Sequence, residues 1–485
     1  MHWKGITYLL GLLLMVFSTA MLAPVAVGLS YGDGAVPAFL DAYLLTLGSG
    51  FAMWLATRNA SRQFGHRDGF LLVTLFWVVL AAFSALPLVL SGTYPTFTDA
   101  YFESVSGLTT TGSTVMAHLH TLPHAVLFWR QEMQWLGGMG IIILGLAVLP
   151  ILGIGGMQLY QAEVPGPVKD QKLTPRVAET ARALWLIYLG LTVAGVLLLW
   201  AQGLTLFDAV GHTFSAVSTG GFSSYDDSIG HFPGPGVQYT LIALMFLGGA
   251  NFALHFGFLH GGGTRAYLSD PEFRLYLGLH LGATALIAAF LMAYGTYPSL
   301  EQSLRHALFQ TVSIGTTTGF VSANYELWPS LLPFLVALTG FCLGSAGSTA
   351  GGIKVLRMLL LWKQGMRQAF LLIHPRAIRP VKLRSTPVPQ GVIQAVWGFF
   401  AVYISTFVLL VMAMLVLEDG DLLTAAGSVG ATLTCVGPGL GQVGPAENFA
   451  AISLGGKWVL ILAMLLGRLE LFTLFVLVMP AFWRR

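Results

Sequence analysis

Four stretches of this chain share a pattern that few folds can accommodate. Each ends at a glycine, at Gly112, Gly221, Gly319 and Gly437, and each carries an alanine twelve residues earlier, at Ala100, Ala209, Ala307 and Ala425. Set on those glycines they read DAYFESVSGLTTTGS from Asp99, DAVGHTFSAVSTGGF from Asp208, HALFQTVSIGTTTGF from His306 and TAAGSVGATLTCVGP from Thr424. Serine recurs six residues before the glycine in three copies, as Ser106, Ser215 and Ser313, and Ala431 replaces it in the fourth. The glycines are 109, 98 and 118 residues apart, too far for a solenoid repeat but suited to two membrane crossings with a re-entrant segment between them. Four such units in one chain can surround an axis.

A membrane is the solvent that the composition calls for. The chain is 55% hydrophobic and only 9% charged, which excludes an ordinary soluble domain. Apolar runs long enough to cross occur near 5–30, 37–57, 70–92, 125–155, 182–203, 236–260, 274–296, 330–362, 391–417 and 456–483, and predict ten crossings. The first is too long for a signal peptide and is expected to be retained.

Short cytoplasmic loops collect Lys and Arg. One set of loops holds 20 of the 24, including Lys4, Arg58, Arg62, Arg67, Lys169, Lys172, Arg176, the eight from Lys354 to Arg384, and Arg484 with Arg485. The opposite face holds Arg130, Arg305 and Lys457 against Asp99, Glu103, Asp208, Asp226, Asp227, Glu301, Glu326, Glu418, Asp419, Asp421 and Glu447. Both termini are therefore expected to be cytoplasmic, and the outer mouth acidic, which concentrates cations. Mildly acidic outer loops without such a role are the simpler alternative.

Cys342 and Cys435 both lie in apolar segments, so no disulfide or zinc framework follows. The 12 histidines show no metal-ligand spacing, and Gly261 to Gly263 lack a nucleotide-loop context. No organic cofactor and no nucleic acid is implied.

Backbone that leaves helical geometry at membrane depth must be buried in protein or line water. The segments ending TTTGS, STGGF, TTTGF and CVGPG are too short to cross, so each should descend as a half-helix and return as an extended strand. Glycine lets successive carbonyls point one way, and Thr and Ser add hydroxyl oxygens. Four strands make rings of oxygen that can replace the water shell of an alkali cation, and the C-terminal ends of the half-helices add partial negative charge. Leu-Gly pairs at Leu136-Gly137, Leu247-Gly248, Leu343-Gly344 and Leu466-Gly467 extend the repeat. Each unit thus reads outer helix, pore helix, filter strand, inner helix, in an all-α integral membrane protein with ten transmembrane helices, four re-entrant pore helices and pseudo-fourfold symmetry.

These residues resemble the Trk/Ktr/HKT superfamily of potassium transporters, and within it the bacterial TrkH subunits. The four filter strands, QWLGGMGI from Gln134 to Ile141, KLTPRVAETA from Lys172 to Ala181 and GSAGSTAGGIK from Gly344 to Lys354 carry the likeness. It implies an N-terminal helix pair over 1–67 and pore repeats over 68–160, 161–262, 263–385 and 386–485. It implies potassium as the transported ion, K+, in a bacterial inner membrane. The family's filter maps onto Thr110, Thr111, Gly112 and Ser113, onto Thr219, Gly220, Gly221 and Phe222, onto Thr317, Thr318, Gly319 and Phe320, and onto Cys435, Val436, Gly437 and Pro438. With one shared glycine per strand, sodium is expected to be rejected less strictly than by TVGYG channels. Plant relatives that favour sodium carry Ser where Gly112 stands here, so potassium is the expected preference.

Within the third inner helix, Gly344, Ser345, Ala346, Gly347, Ser348, Thr349, Ala350, Gly351 and Gly352 make a straight helix improbable, since glycine costs roughly 1 kcal/mol per interior position. The stretch is expected to unwind below the filter; close helix packing through small residues is the alternative. The family resemblance makes it an intramembrane loop obstructing the pathway. Arg468 occupies the aligned position of Gly138, Gly249 and Ser345, near the middle of an apolar run, where a cation costs about 3 kcal/mol or more. It is expected to project into the pore and hydrogen-bond the loop's carbonyls, with an inter-helix salt bridge as the alternative. Glu470 is expected to pair with a neighbouring helix.

The basic stretch from Lys354 to Arg384 suits anionic lipid headgroups. The resemblance adds a homodimer seated on cytosolic TrkA-type nucleotide-binding regulatory subunits. The expected function is potassium uptake through a gated, channel-like pore. The alternative is a proton- or sodium-coupled symporter in which Glu470, Asp99 or Glu103 cycles protons. No nucleophile–base pair or metal cluster supports an enzyme.

Overall fold

The computed structural model describes residues 1–59, 65–147, 177–384, 386–418 and 421–484. The boundary expected at 160–161, Arg62, Lys169, Lys172, Arg176, Asp419 and Arg485 lie outside them. The described chain is helical apart from a hairpin pairing Lys382–Leu383 with Thr386–Pro387.

Among the described residues, six helices are long and apolar enough to cross a membrane: Trp3–Tyr31, Val36–Thr57, Arg67–Leu90, Thr180–Ala201, Pro271–Ala293 and Gln390–Glu418. Two more expected crossings are bent pairs, Pro235–Gly248 with Phe252–Leu268 at 98° and Leu454–Arg468 with Phe472–Val478 at 115°. The run at 330–362 is divided into Leu332–Cys342 and Val355–Ile373, and the run at 125–155 forms His124–Ala147 within the described residues. Among the described residues, the ten expected runs are thus six long helices, two bent pairs, one divided run and one helix ending at Ala147. Three of the four departures share one cause, because the inner helices of the second and fourth units break just after the aligned Leu-Gly pair and that of the third breaks just before it.

The N-terminal helices are held by mutual close approach. A methyl on Gly11 would fall 2.7 Å from the Gly50 carbonyl oxygen, and one on Gly50 would fall 2.8 Å from that of Gly11, so only glycine lets these backbones touch. The pair is tied to the first unit where Ala125 donates its N–H to Asp33 Oδ2 at 2.8 Å. Trp3 stacks on Trp483, which brings the two chain ends together.

The four repeated segments form short helices over Phe97–Leu108, Leu206–Val217, Leu300–Gly315 and Leu422–Leu433. At 12 residues, three of them are about 18 Å long, well short of a crossing. Their starts are written in capping residues. Thr96, Thr205, Ser299 and Asp421 each accept a backbone N–H from the first turn through a side-chain oxygen. Their ends are Schellman turns. The N–H groups of Thr111, Gly220, Thr318 and Val436 reach back to the carbonyls of Ser106, Ser215, Ser313 and Ala431 at 2.8 to 2.9 Å. The turn therefore uses the carbonyl of the recurrent serine, which Ala431 supplies equally well.

The Leu-Gly pairs have a steric reason. A methyl on Gly137, Gly248 or Gly467 would fall 1.9, 2.8 or 2.1 Å from the carbonyl oxygen of Leu108, Val217 or Leu433, the last residue of the pore helix in the same unit. In the first, second and fourth units the inner helix presses against the end of its own pore helix at the one position without a side chain, whereas Gly344 of the third unit faces its own loop at Ala350 and Gly351.

Candidate functional site

The residue that ends each Schellman turn would ordinarily be glycine, yet Thr110, Thr219, Thr317 and Cys435 adopt φ of +53°, +53°, +59° and +57°. Left-handed backbone at a β-branched residue costs about 1–3 kcal/mol, and such strain collects at functional sites. Two residues on, Gly112, Gly221, Gly319 and Gly437 have φ of +85°, +79°, +84° and +99°. The same backbone path is drawn four times.

Those four paths close into a ring. A methyl on Gly112 would lie 2.2 Å from the Gly220 carbonyl oxygen, one on Gly221 1.9 Å from that of Thr318, one on Gly319 1.8 Å from that of Val436, and one on Gly437 2.8 Å from that of Thr111. First strand touches second, second third, third fourth and fourth first. Ser113 Oγ, donating to the Gly437 carbonyl at 3.0 Å, bonds the last contact. All four glycines line one cavity of about 80 Å³.

Of the sixteen residues expected to form the filter, Phe222 and Phe320 carry the two aromatic side chains. Their side chains are buried in the scaffold, and their carbonyls accept from Gln131 Nε2 at 3.4 Å and Ser313 Oγ at 2.6 Å. Their contribution is to anchor the strands from behind.

The glycine-rich stretch of the third unit unwinds as expected, between Cys342 and Val355. It docks into the break of the second inner helix. Ser345 and Thr349 donate their N–H groups to the carbonyls of Gly249 and Gly248 at 3.1 and 3.3 Å, and Gly347 accepts from Phe252 at 3.0 Å. Thr349 Oγ1 lies 3.1 Å from Thr219 Oγ1, and Gly351 donates its N–H to Thr317 Oγ1 at 2.7 Å. A methyl on Gly351 would fall 2.2 Å from the Thr434 carbonyl oxygen. The loop thus touches the inner end of three of the four strands.

Arg468 reaches the same loop, donating from Nη1 to the Thr349 carbonyl at 2.9 Å. It ends a helix at a 115° break instead of lying mid-helix, and among the described residues no carboxylate pairs with it. Its Nε and Nη2 have no hydrogen-bond partner in protein. Glu470, within the break, pairs with Arg357 at 2.7 Å, the expected contact with a neighbouring helix.

Residues 35–485 match the family model described as "TrkH: Cation transport protein". This chain belongs to the TrkH family. It is 47% identical over 485 residues to the Trk system potassium uptake protein TrkH of Salmonella typhimurium, and 46% identical to that of Escherichia coli K12, covering all of both chains in each case. The TrkG protein of Escherichia coli K12 is 36% identical over 484 residues, covering 100% of this chain and 99% of its own. The crystal structure of the potassium transporter TrkH from Vibrio parahaemolyticus superimposes with a TM-score of 0.92 at 44% identity, covering all of both chains. These relatives are transport proteins, not catalysts.

In this TrkH-family chain the ring is supported by polar struts that sequence reading missed. Nine residues before each ring glycine stand Glu103, His212 and Gln310 in the first three units. Glu103 accepts from Val115 N–H at 3.0 Å and Thr114 Oγ1 at 2.9 Å, His212 Nε2 meets Ser223 Oγ at 2.9 Å, and Gln310 Nε2 donates to the Ala323 carbonyl at 3.3 Å. Each strut joins a pore helix to the strand leaving the ring. Their shared offset from the glycine was the available signal. Arg130 completes the first strut by pairing with Glu103 at 2.8 Å, both side chains fully buried, and its guanidinium lies 4.3 Å from the Phe222 ring centre.

The acidic mouth is narrower than the sequence predicts. Asp99 pairs with Lys457 at 2.7 Å and Glu301 with Arg305 at 2.7 Å. Asp208 accepts from Thr205 Oγ1, Glu418 from Ser453 Oγ, and Asp421 from the Thr424 N–H. Glu326 accepts from the Gly441 N–H at 2.6 Å; its burial, with Glu447 nearby, pushes its carboxyl pKa up against that hydrogen bond. Asp226 and Glu447 are the carboxylates of the expected set that line the cavity above the ring.

Proposed function

We propose that this chain conducts potassium into a bacterium across the inner membrane, through a gated, channel-like pore whose filter is the ring of Gly112, Gly221, Gly319 and Gly437. One observation carries the reading: four strands, one per repeated segment, close head to tail around a common axis with their carbonyls packed on each other's glycines. A dehydrated alkali cation needs oxygen from all sides, and a closed ring supplies it. The relatives' names supply the ion, since they are potassium uptake proteins.

The 344–352 loop with Arg468 is the gate. It sits against the inner end of the ring, and an arginine without a carboxylate partner opposes a passing cation. The sixteen strand residues named above form the filter with ten crossings around it, organised as a pair over 1–67 and repeats over 68–160, 161–262, 263–385 and 386–485. Both termini face the cytosol. The protein works as a homodimer, and its basic cytoplasmic face carries TrkA-type nucleotide-binding subunits. Lys363, Arg367, Arg379 and Lys382 line one groove on that face and form no ion pair among the described residues, whereas Arg357 and Arg384 are paired with Glu470 and Asp270.

The ion-coupled alternative is disfavoured by the same geometry. Asp99, Glu103 and Glu470, the carboxylates proposed to cycle protons, all sit in ion pairs at 2.7 to 2.8 Å. The test is rubidium uptake into liposomes at fixed potential, with and without a pH gradient. Uptake that follows the potential and ignores the pH gradient supports the channel; uptake that tracks the pH gradient overturns it.

A further inference from the structure

The middle residue of each ring strand carries the carbonyl that abuts the neighbouring strand's glycine, and in three strands its own side chain is anchored. Thr111 Oγ1 bonds Thr109 Oγ1 at 2.8 Å and Thr318 Oγ1 bonds Thr316 Oγ1 at 2.8 Å. Val436 packs into an apolar cluster with Ile314 and Val336. The second strand has Gly220 there and nothing to anchor.

Gln134 fills that place. Its Nε2 donates to the Gly220 carbonyl at 2.6 Å, and its Oε1 accepts from the Phe222 N–H at 3.0 Å, so one amide clasps the strand on both sides of Gly221. A methyl on Gly220 would fall 2.5 Å from Gln134 Cδ and 2.6 Å from its Oε1, so the amide occupies the volume that a side chain at 220 would need. The aligned positions of the other inner helices hold Met245, Phe341 and Met464, none of which can clasp a strand. Gln134 itself is fully buried.

We propose that Gln134 is a positioning residue for ion selectivity, standing in for the side chain absent at Gly220 and fixing the second strand's ring carbonyl. This rests on the ring being the filter. An alkali-ion site distinguishes potassium from sodium by how far its oxygens can close in. Without the clasp, the Gly220 carbonyl can follow a smaller ion inward. Selectivity then falls, while conduction persists.

The test compares rubidium and sodium uptake into proteoliposomes at one fixed potential. Gln134→Met, which places the second unit's own residue at that position, is expected to lower the rubidium-to-sodium ratio roughly tenfold, equivalent to about 1.4 kcal/mol. Gly220→Ala is expected to do the same by pushing the amide away. The double variant Gly220→Ala with Gln134→Ala removes the collision and is expected to regain part of the ratio lost by either change. A merely structural role lowers both fluxes together and leaves their ratio, which overturns the proposal, as does an unaltered ratio in monodisperse, folded protein. Gly319→Ala separates the two levels of argument. If it also leaves the ratio untouched, the filter reading itself has failed; if it lowers the ratio while Gln134→Met does not, only the role of Gln134 has.

Discussion

Arg468 Nη1 donates to the carbonyl of Thr349 across 2.9 Å, joining the break in the fourth inner helix to the loop that interrupts the third. Thr349 in turn touches the second, through Oγ1 contacts to the Gly248 and Val217 carbonyls at 3.0 and 3.2 Å. The three broken helices therefore meet at one residue. The fold concentrates its irregular backbone at the proposed gate.

Removing the arginine should loosen the loop. A hydrogen bond from a charged group is worth about 1.5–3 kcal/mol, so Arg468→Ala is expected to raise rubidium flux by about tenfold or more by favouring the displaced loop. Lower or unchanged flux in well-folded protein counts against a barrier role.

The hydroxyl of Thr349 offers a second handle on the same closure. Thr349→Val keeps the side chain's shape but removes its contacts with Gly248, Val217 and Thr219, at about 0.5–1.5 kcal/mol per bond. Flux should rise several-fold, and combining it with Arg468→Ala should add less than the two effects separately, because both act on one loop. Fully additive effects would show that they act independently.

At the ring, sterics predict sharper losses. Gly221→Ala puts a methyl 1.9 Å from the Thr318 carbonyl oxygen in backbone already at φ +79°. Selective rubidium uptake is expected to disappear. Gly295→Ala meets similar backbone strain, φ +64°, in open space and should leave uptake intact. Equal effects from the two would remove the ring contact from the explanation.

The buried pair of Glu103 and Arg130 is expected to matter for stability. Glu103→Ala leaves a guanidinium without its carboxylate and should cost about 3–5 kcal/mol, seen as a lower midpoint of thermal unfolding in detergent. Adding Arg130→Met should restore part of the loss. A double variant as unstable as the sum of the singles would contradict this account of the pair.

Legibility followed sequence distance and repetition. The ring glycines, the 344–352 loop and Arg468 were readable because each is either repeated at a fixed offset or conspicuous in an apolar setting. Ser106, Ser215 and Ser313 were noticed for the same reason, but their hydroxyls are not what the repeat conserves; the backbone turn uses the carbonyl, and Ala431 supplies it equally well. Hydropathy could not show that the second and fourth inner helices bend, since Gly248–Asn251 and Leu469–Leu471 stand within runs that remain apolar on both sides. It also assigned Asp99, Glu103 and Glu301 to the outer mouth by chain position alone, whereas their partners Lys457, Arg130 and Arg305 neutralise them. Gln134 carries no such signal, because its target, Gly220, lies 86 residues away and the arrangement occurs once.

The most direct measurement is anomalous X-ray scattering from crystals grown with rubidium in place of potassium. A single polypeptide wrapping four strands around one axis predicts an anomalous peak between Gly112, Gly221, Gly319 and Gly437, reduced when sodium replaces rubidium. Well-diffracting crystals with rubidium bound elsewhere and none on that axis would contradict the account.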